Sequence, residues 1–268
     1  MAEEIRLYLF ECGVINVPLA AMIAGEGLDG ERVRNPTPWY LLTHPRGNVI
    51  IDGGNAPEVA IDPIAHWGEL GRRSPTEMRP DQAVLPELEK IGVDPASIRW
   101  VVQSHLHLDH TGAVAVIDRL PNAEVLVTQT EHETAHNLAS WLAPAYCAAD
   151  YDKPGVPWVT LTDAEADGYD LFGDGTLICW RTPGHSPGHL SFEIHLPSGD
   201  AFILAIDAAN TITLLEEKQQ PGFILDLPEG TRSVRKLRRL AWRAQATVIP
   251  GHDPVVWPSF RQAPEFYA

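Results

Sequence analysis

Four potential metal ligands fall within six residues: His105, His107, Asp109 and His110. The run just before them, Ile98-Arg-Trp-Val-Val-Gln103, is apolar and β-branched, the pattern of a buried strand. Residues two apart on a strand share a face, so His105 and His107 can grip one ion at the strand's carboxyl end. Beyond Leu108 the chain must turn, which frees the adjacent Asp109 and His110 to face a second ion. Imidazoles with a carboxylate suit zinc or a similar divalent metal. One isolated histidine beside a strand is better read as a hydrogen-bonded core or surface residue. Four ligands in six positions outweigh that reading.

The rest of the chain must position this cluster. Residues 5–10 suit an opening strand and residues 13–16 a turn after it. Residues 17–33, with Gly25, Gly27 and Gly30, read as loop, and their apolar half either lines a substrate entrance or tucks onto the core. Residues 38–43 and 48–52 flank His44-Pro-Arg-Gly47 and read as paired strands, ending in a tight turn at Asp52-Gly-Gly54. Helices are expected between residues 63 and 92, the clearest at 81–91, then a helix at 111–120 and a strand at 123–128. Residues 177–181 form a strand that ends in Thr182-Pro-Gly-His185. Residues 190–196 and 201–206 read as a hairpin delivering Asp207, and a helix at 232–245 precedes a β-rich run ending at His252. The aromatic region 140–152 could cap a pocket.

Composition narrows the possible chemistry. A chain of 268 residues, 44% hydrophobic and 21% charged, can bury a large core, and no Gly/Ser-rich linker divides it, so one domain over 1–268 is expected. The formal net charge of −16 argues against binding a phosphate backbone. The one basic run, Arg232-Ser-Val-Arg-Lys-Leu-Arg-Arg239, has Val234, Leu237, Leu240 and Ala241 at helical spacing and reads as the wet face of an amphipathic helix. No nucleic-acid or membrane partner is expected. The acidic start at Met1 runs into a strand with no leader-like apolar segment, and Cys12, Cys147 and Cys179 form neither a disulfide framework nor a zinc knuckle. A cytoplasmic, reducing setting is the expectation.

His105-x-His107-x-Asp109-His110 resembles the signature of the metallo-β-lactamase superfamily. The resemblance implies an α/β fold, an αββα sandwich with two divalent ions, zinc by preference, at the sheet edges. Thr182-Pro-Gly-His185 resembles the family's next ligand motif, Asp207 its bridging aspartate and Gly251-His252 its last ligand. The implied set is His105, His107 and His185 on one ion, Asp109, His110 and His252 on the other, and Asp207 between them. A carboxylate closing a wholly apolar strand also needs a cation or donors to receive it. Asp52 resembles a supporting aspartate that holds a ligand imidazole, although a turn-initiating Asp explains it nearly as well. His189 is expected to order its loop by a hydrogen bond. His132-Glu-Thr-Ala-His136 matches the zincin pattern, but both histidines are expected to be ordinary helix residues beside a far denser ligand set.

A water shared by two such ions ionises near neutral pH, and one ion polarises the carbonyl under attack, so the implied chemistry is hydrolysis, with Asp109 relaying a proton to the leaving oxygen. Asp207 points away from true β-lactamases, and the intact histidines point away from flavodiiron oxidoreductases. The segments Asp52-Gly-Gly-Asn55, Thr182-Pro-Gly-His-Ser-Pro-Gly-His189 and Asp207-Ala-Ala are similar to the acyl-homoserine lactonase branch, which implies a small neutral lactone as substrate and admits a homodimer. Other lactones and glyoxalase II-like thioesters remain alternatives, as does a metal-binding relative without turnover. Lactonases of that branch carry a tyrosine three residues after the bridging aspartate, whereas this chain has Asn210, whose amide could still donate to a carbonyl.

Overall fold

The computed structural model describes residues 4–268; the first three residues of the expected acidic lead-in lie outside them. Strands β1 (Arg6–Pro18), β2 (Arg32–Thr43), β3 (Asn48–Ile51), β4 (Thr76–Glu77), β5 (Ile98–Val102), β6 (Glu124–Thr128) and β7 (Trp158–Leu161) form one sheet, in the order β4-β1-β2-β3-β5-β6-β7. Strands β8 (Tyr169–Asp170), β9 (Leu177–Arg181), β10 (Leu190–His195), β11 (Ala201–Ile206) and β12 (Thr247–Pro250) form a second, in the order β12-β11-β10-β9-β8.

Alternation along the strands sorts most of their side chains into three cores, and Ile15 of β1 joins a fourth with Val59, Trp67 and Leu108. Leu7, Leu9, Tyr40, Leu42, Val49 and Ile51 of the first sheet meet Phe192, Ile194, Phe202 and Leu204 of the second. The intervening Tyr8, Phe10, Trp39, Leu41, Ile50 and Val101 face the other way, onto Val84 and Leu88 of the helix Val84–Lys90 and onto Val114. Ile203 and Ala205 of β11 face outward onto Val234, Leu237 and Leu240 of the helix Leu227–Ala244. With both faces of the central strands covered, the layers run α, β, β, α, as a strand such as Ala-Phe-Ile-Leu-Ala-Ile with no polar residue requires. On the wet side of Leu227–Ala244, Arg232 pairs with Glu229 and Arg235 with Glu217, so these basic residues already have acidic partners.

Three local expectations fail. β5 ends at Val102, so His105 and His107 sit on the loop beyond the strand and not on one of its faces, since the chain leaves the sheet at Gln103. The predicted turn at residues 13–16 is a bulge inside β1, between Glu11 and Val14, after which the strand continues to Pro18 against β2. Gly13, at φ +81°, supplies the kink, and the pairing partners waiting in β2 outweigh the turn signal. Residues 17–33 therefore include the end of β1, a turn of helix at Leu19–Met22 and the start of β2. The predicted helix at 111–120 divides into Gly112–Ala115 and a 3-10 turn at Ile117–Arg119, in a β-branched stretch with weak helix preference.

The parallel strands give the site its place. β3 runs parallel to β5, and β11 to β12. Their carboxyl ends release Asp52, residues 103–110, Asp207 and His252 respectively, while the β9–β10 connection carries residues 182–189. The ligand loop is anchored immediately downstream by Gly112, whose N–H donates to the Gly54 carbonyl at 2.8 Å. A Cβ on Gly112 would lie 2.3 Å from the Gly53 carbonyl oxygen and 2.6 Å from that of Asn55. Because those obstacles are backbone, Gly112→Ala is expected to cost about 3 kcal/mol and to loosen the loop that precedes it. A urea unfolding midpoint unchanged from the parent would contradict that close packing.

Candidate metal centre

The expected ligand residues converge. One potential ligand atom from each of His105, His107 and His185 lies within 4.8 Å of the others, and the same holds for Asp109, His110 and His252. Asp207 stands between the groups: Oδ1 is 3.3 Å from His110 Nε2 and 3.1 Å from His252 Nε2, while Oδ2 is 3.2 Å from His185 Nε2. Each group draws on loops from distant parts of the chain, and every member except Asp109 is almost fully buried.

Neighbouring groups fix the tautomers, because a carboxylate or carbonyl can only accept. His110 Nδ1–H donates to Asp52 Oδ2 at 2.9 Å, and His252 Nδ1–H donates to the Pro36 carbonyl at 2.8 Å. Ser104 gives its hydroxyl proton to Asp52, so at 2.9 Å it accepts from His105 Nδ1–H. In their neutral forms all three rings therefore carry the lone pair on Nε2, facing the centre, the orientation that outer partners impose on ligand histidines. His189 is spent in the other way. Its Nε2 accepts the Asp207 N–H at 3.2 Å and its Nδ1–H donates to Thr182 Oγ1 at 2.9 Å, so it orders the loop as expected.

Buried polar atoms that face the centre have no hydrogen-bond partner at His105 Nε2, His110 Nε2 and Asp207 Oδ1, while the centre-facing nitrogens His107 Nδ1 and His185 Nε2 lie only 2.9 Å from each other. Each such orphan costs about 1–3 kcal/mol, which natural structures rarely tolerate without an ion or water. Neutral imidazoles with two carboxylates are a donor set for divalent cations, so the residues present fit the implied metal pair. The electrostatics agree. Burial alone would raise the Asp207 pKa, but His252, His185 and His110 outweigh it and hold the carboxyl well below the usual range. Burial and adjacent imidazoles hold His105 and His107 well below the ordinary value, that is, neutral. Burial opposes protonation of His110 and His252 too, yet the acidic neighbours prevail and raise both, His252 to about 9.

Residues 32–252 match the metallo-beta-lactamase superfamily. The chain belongs to this superfamily. It is 44% identical to an N-acyl homoserine lactonase AttM of Agrobacterium fabrum, over 99% of both chains. It is 26% identical to an N-acyl homoserine lactonase of Bacillus thuringiensis, over 88% of this chain and 89% of the other. Its fold matches, with a TM-score of 0.85 and 22% identity over the whole of both chains, an N-acyl homoserine lactone hydrolase solved with N-hexanoyl-L-homoserine at its catalytic metal centre.

Within this superfamily fold the remaining candidates find distinct places. Asp52, at φ +66°, is more than a turn former: it also accepts the Ser104 N–H at 2.7 Å, joining the end of β3 to the ligand loop. His132 and His136 lie on the helix Gln129–His136 with their rings stacked at 4.2 Å, and neither joins a ligand cluster among the described residues. Asn210 is buried near Asp207 and His252; its Nδ2 meets only the Met22 sulfur at 3.9 Å, and its Oδ1 has no partner.

Glu131 is the supporting residue that sequence reasoning missed. Fully buried, it accepts from Leu106 N–H at 3.1 Å, Tyr146 Oη at 3.1 Å, Ser186 Oγ at 2.7 Å and Gly188 N–H at 3.0 Å. It thereby ties the His105–His107 segment to the loop carrying His185. Burial pushes its pKa up against these donors. A signal existed, since Thr128-x-x-Glu131 has the form of a capping box, and Thr128 Oγ1 does cap Glu131 N–H. The glutamate, however, turns its carboxylate to other loops.

Asp207 carries the test of the paired arrangement. Asp207→Ala is expected to lower bound metal below two ions per chain and turnover by at least about 100-fold, as loss of a shared ligand should. Metal analysis that finds two ions in a fully active variant would contradict the bridging role.

Proposed function

We propose that this chain, a single domain over residues 1–268, is a hydrolase that opens the ester ring of N-acyl-homoserine lactones. One observation carries the reading: the ligand-type side chains share a cavity of about 270 Å³ with mostly apolar residues. His107, Asp109, His185, Asp207 and His252 belong to the ligand set, Ile15, Val17, Ala21, Met22, Leu70 and Phe223 supply apolar walls, and Asn35, Ser74 and Asn210 are the other polar residues of the lining. A neutral ring ester with an acyl tail matches both parts. The names of the relatives at 44% and 26% identity support the same substrate.

His105, His107 and His185 would hold one divalent ion and Asp109, His110 and His252 the other, with Asp207 serving both; zinc suits this donor set. Such a pair supplies water ionised near neutral pH and a positive centre for the ester carbonyl. The chain's own residues do the rest. Asp109, the most exposed of the set at 20%, faces the cavity and can carry a proton to the ring oxygen as its C–O bond breaks. Asn210 Nδ2, bound only to a weak sulfur acceptor, can turn its N–H toward the carbonyl oxygen. The apolar walls bind the tail, at about 0.8 kcal/mol for each methylene buried, so KM falls as the tail lengthens until the cavity is filled.

Glutathione thioesters fit less well, because no Lys or Arg among the described residues lines the cavity to receive their carboxylates. The cytoplasm is the proposed setting, supported by three free thiols. No helix among the described residues is long and apolar enough to cross a membrane.

Ring opening of a lactone releases one proton, so base uptake in a pH-stat measures it directly. Acyl-homoserine lactones are expected to be consumed faster than simple lactones and glutathione thioesters, and chelation should abolish the uptake. Preference for the thioester, or full rate after exhaustive chelation, would overturn the proposal. Asn210→Tyr is expected to shift the ranking among lactones by about tenfold, the scale of one hydrogen bond to a developing charge. An unchanged ranking would remove position 210 from substrate recognition.

A further inference from the structure

A second constellation of ligand types lies outside the seven-residue centre. His66 Nε2 is 2.8 Å from Asp150 Oδ1 and 3.5 Å from Cys147 Sγ, and one ligand atom from each of the three lies within 4.8 Å of the others. His66 sits on the helix Pro63–Trp67, whereas Cys147 and Asp150 belong to the cap and body of the helix Ala148–Tyr151. Asp150 and Cys147 are buried, and the His66 side chain keeps 11% of its surface in solvent.

From this geometry we infer that His66, Cys147 and Asp150 form a further binding site for a divalent transition metal of the zinc type, with water as the fourth ligand. Both close contacts converge on the same imidazole nitrogen, the one that would point at the ion. A catalytic thiol–imidazole–carboxylate relay would instead need the thiol and the carboxylate on opposite ring nitrogens. With Zn–N near 2.0–2.1 Å and Zn–S near 2.3 Å, tetrahedral coordination separates N and S by about 3.5 Å, the spacing already present. The N···O contact must open by about 0.5 Å on the same arithmetic.

Charge also balances. Loading releases the thiol proton and the imidazole proton to solvent, and the thiolate and carboxylate then neutralise the ion, so no net charge is left buried. The unloaded cluster is itself neutral as a His66–Asp150 ion pair. Metal therefore competes with protons for an assembled site and does not have to create one. A soft thiolate favours zinc or cobalt over magnesium or calcium.

The location gives the ion something to hold. Trp67, next to His66, and Ala145, two residues before Cys147, both line the substrate cavity. Asp150 Oδ2 accepts from Thr111 Oγ1 at 2.8 Å, directly after the ligand His110. An ion here would clamp two walls of the cavity to each other and to the ligand loop.

The test reads metal and not turnover, so it stands apart from the lactonase proposal. Protein reconstituted with Co²⁺ is expected to show a near-ultraviolet sulfur-to-cobalt charge-transfer band, since no thiol belongs to the seven-residue centre. It should also bind one metal equivalent more than the Cys147→Ser variant, which loses the band and keeps the remaining metal. His66→Gln, at a partly exposed position, gives the same loss should the serine variant fail to fold. Absence of the band in the parent protein, or its survival in both variants, overturns the inference.

Discussion

The structure depends on a carboxylate that burial alone would not keep ionised. Asp207 emerges from an entirely apolar strand, and Ile206 just before it adopts φ +49°, a conformation that costs a β-branched residue about 1–3 kcal/mol. That strain and the desolvation of Asp207 are offset only by what its oxygens meet: His110 and His252 on one, His185 on the other. Three segments far apart in sequence are thus held at one point by mutual charge compensation. The two sheets must present their carboxyl ends together for this compensation to exist.

Around that point, a second ring of buried carboxylates gives the ligands their orientation. Asp52 joins β3 to Ser104 and His110, and Glu131 joins Leu106 to the loop of residues 186–188. Asp253, beside His252, accepts the N–H groups of Ile212, Val255 and Val256. Each is satisfied by backbone or hydroxyl donors, so each stays anchored whether or not the centre holds metal. This is the arrangement expected where ligand geometry must be set before the ions arrive.

What could be read from the sequence follows the range of each interaction. His105, His107, Asp109 and His110 were legible because four ligand types in six residues is a local signal, although β5 ends at Val102 and His105 and His107 sit on the loop beyond it. The αββα sandwich was legible by resemblance to a family. His185 and His252 were legible only by that resemblance, and Asp207 by it together with its place at the end of an apolar strand; no spacing rule links residues so far apart. Glu131 escaped because its partners lie 15 to 57 residues away, although its helix-capping pattern was visible. The bulge at Gly13 was misread for the same reason. Glycine marks a break locally, and only the partner strand shows that pairing resumes.

The three cysteines extend that lesson to the kind of metal each cluster prefers. Counted against one another, Cys12, Cys147 and Cys179 are too far apart to share an ion, and that remains true of the fold. A mixed donor set needs only one thiol, and His66 and Asp150 reach Cys147 through packing that no cysteine count records. The seven-residue centre is built wholly from nitrogen and oxygen, whereas the His66 cluster adds sulfur. Donor softness, more than position, therefore separates the two clusters: the first can accept harder divalent ions, while the second discriminates against them.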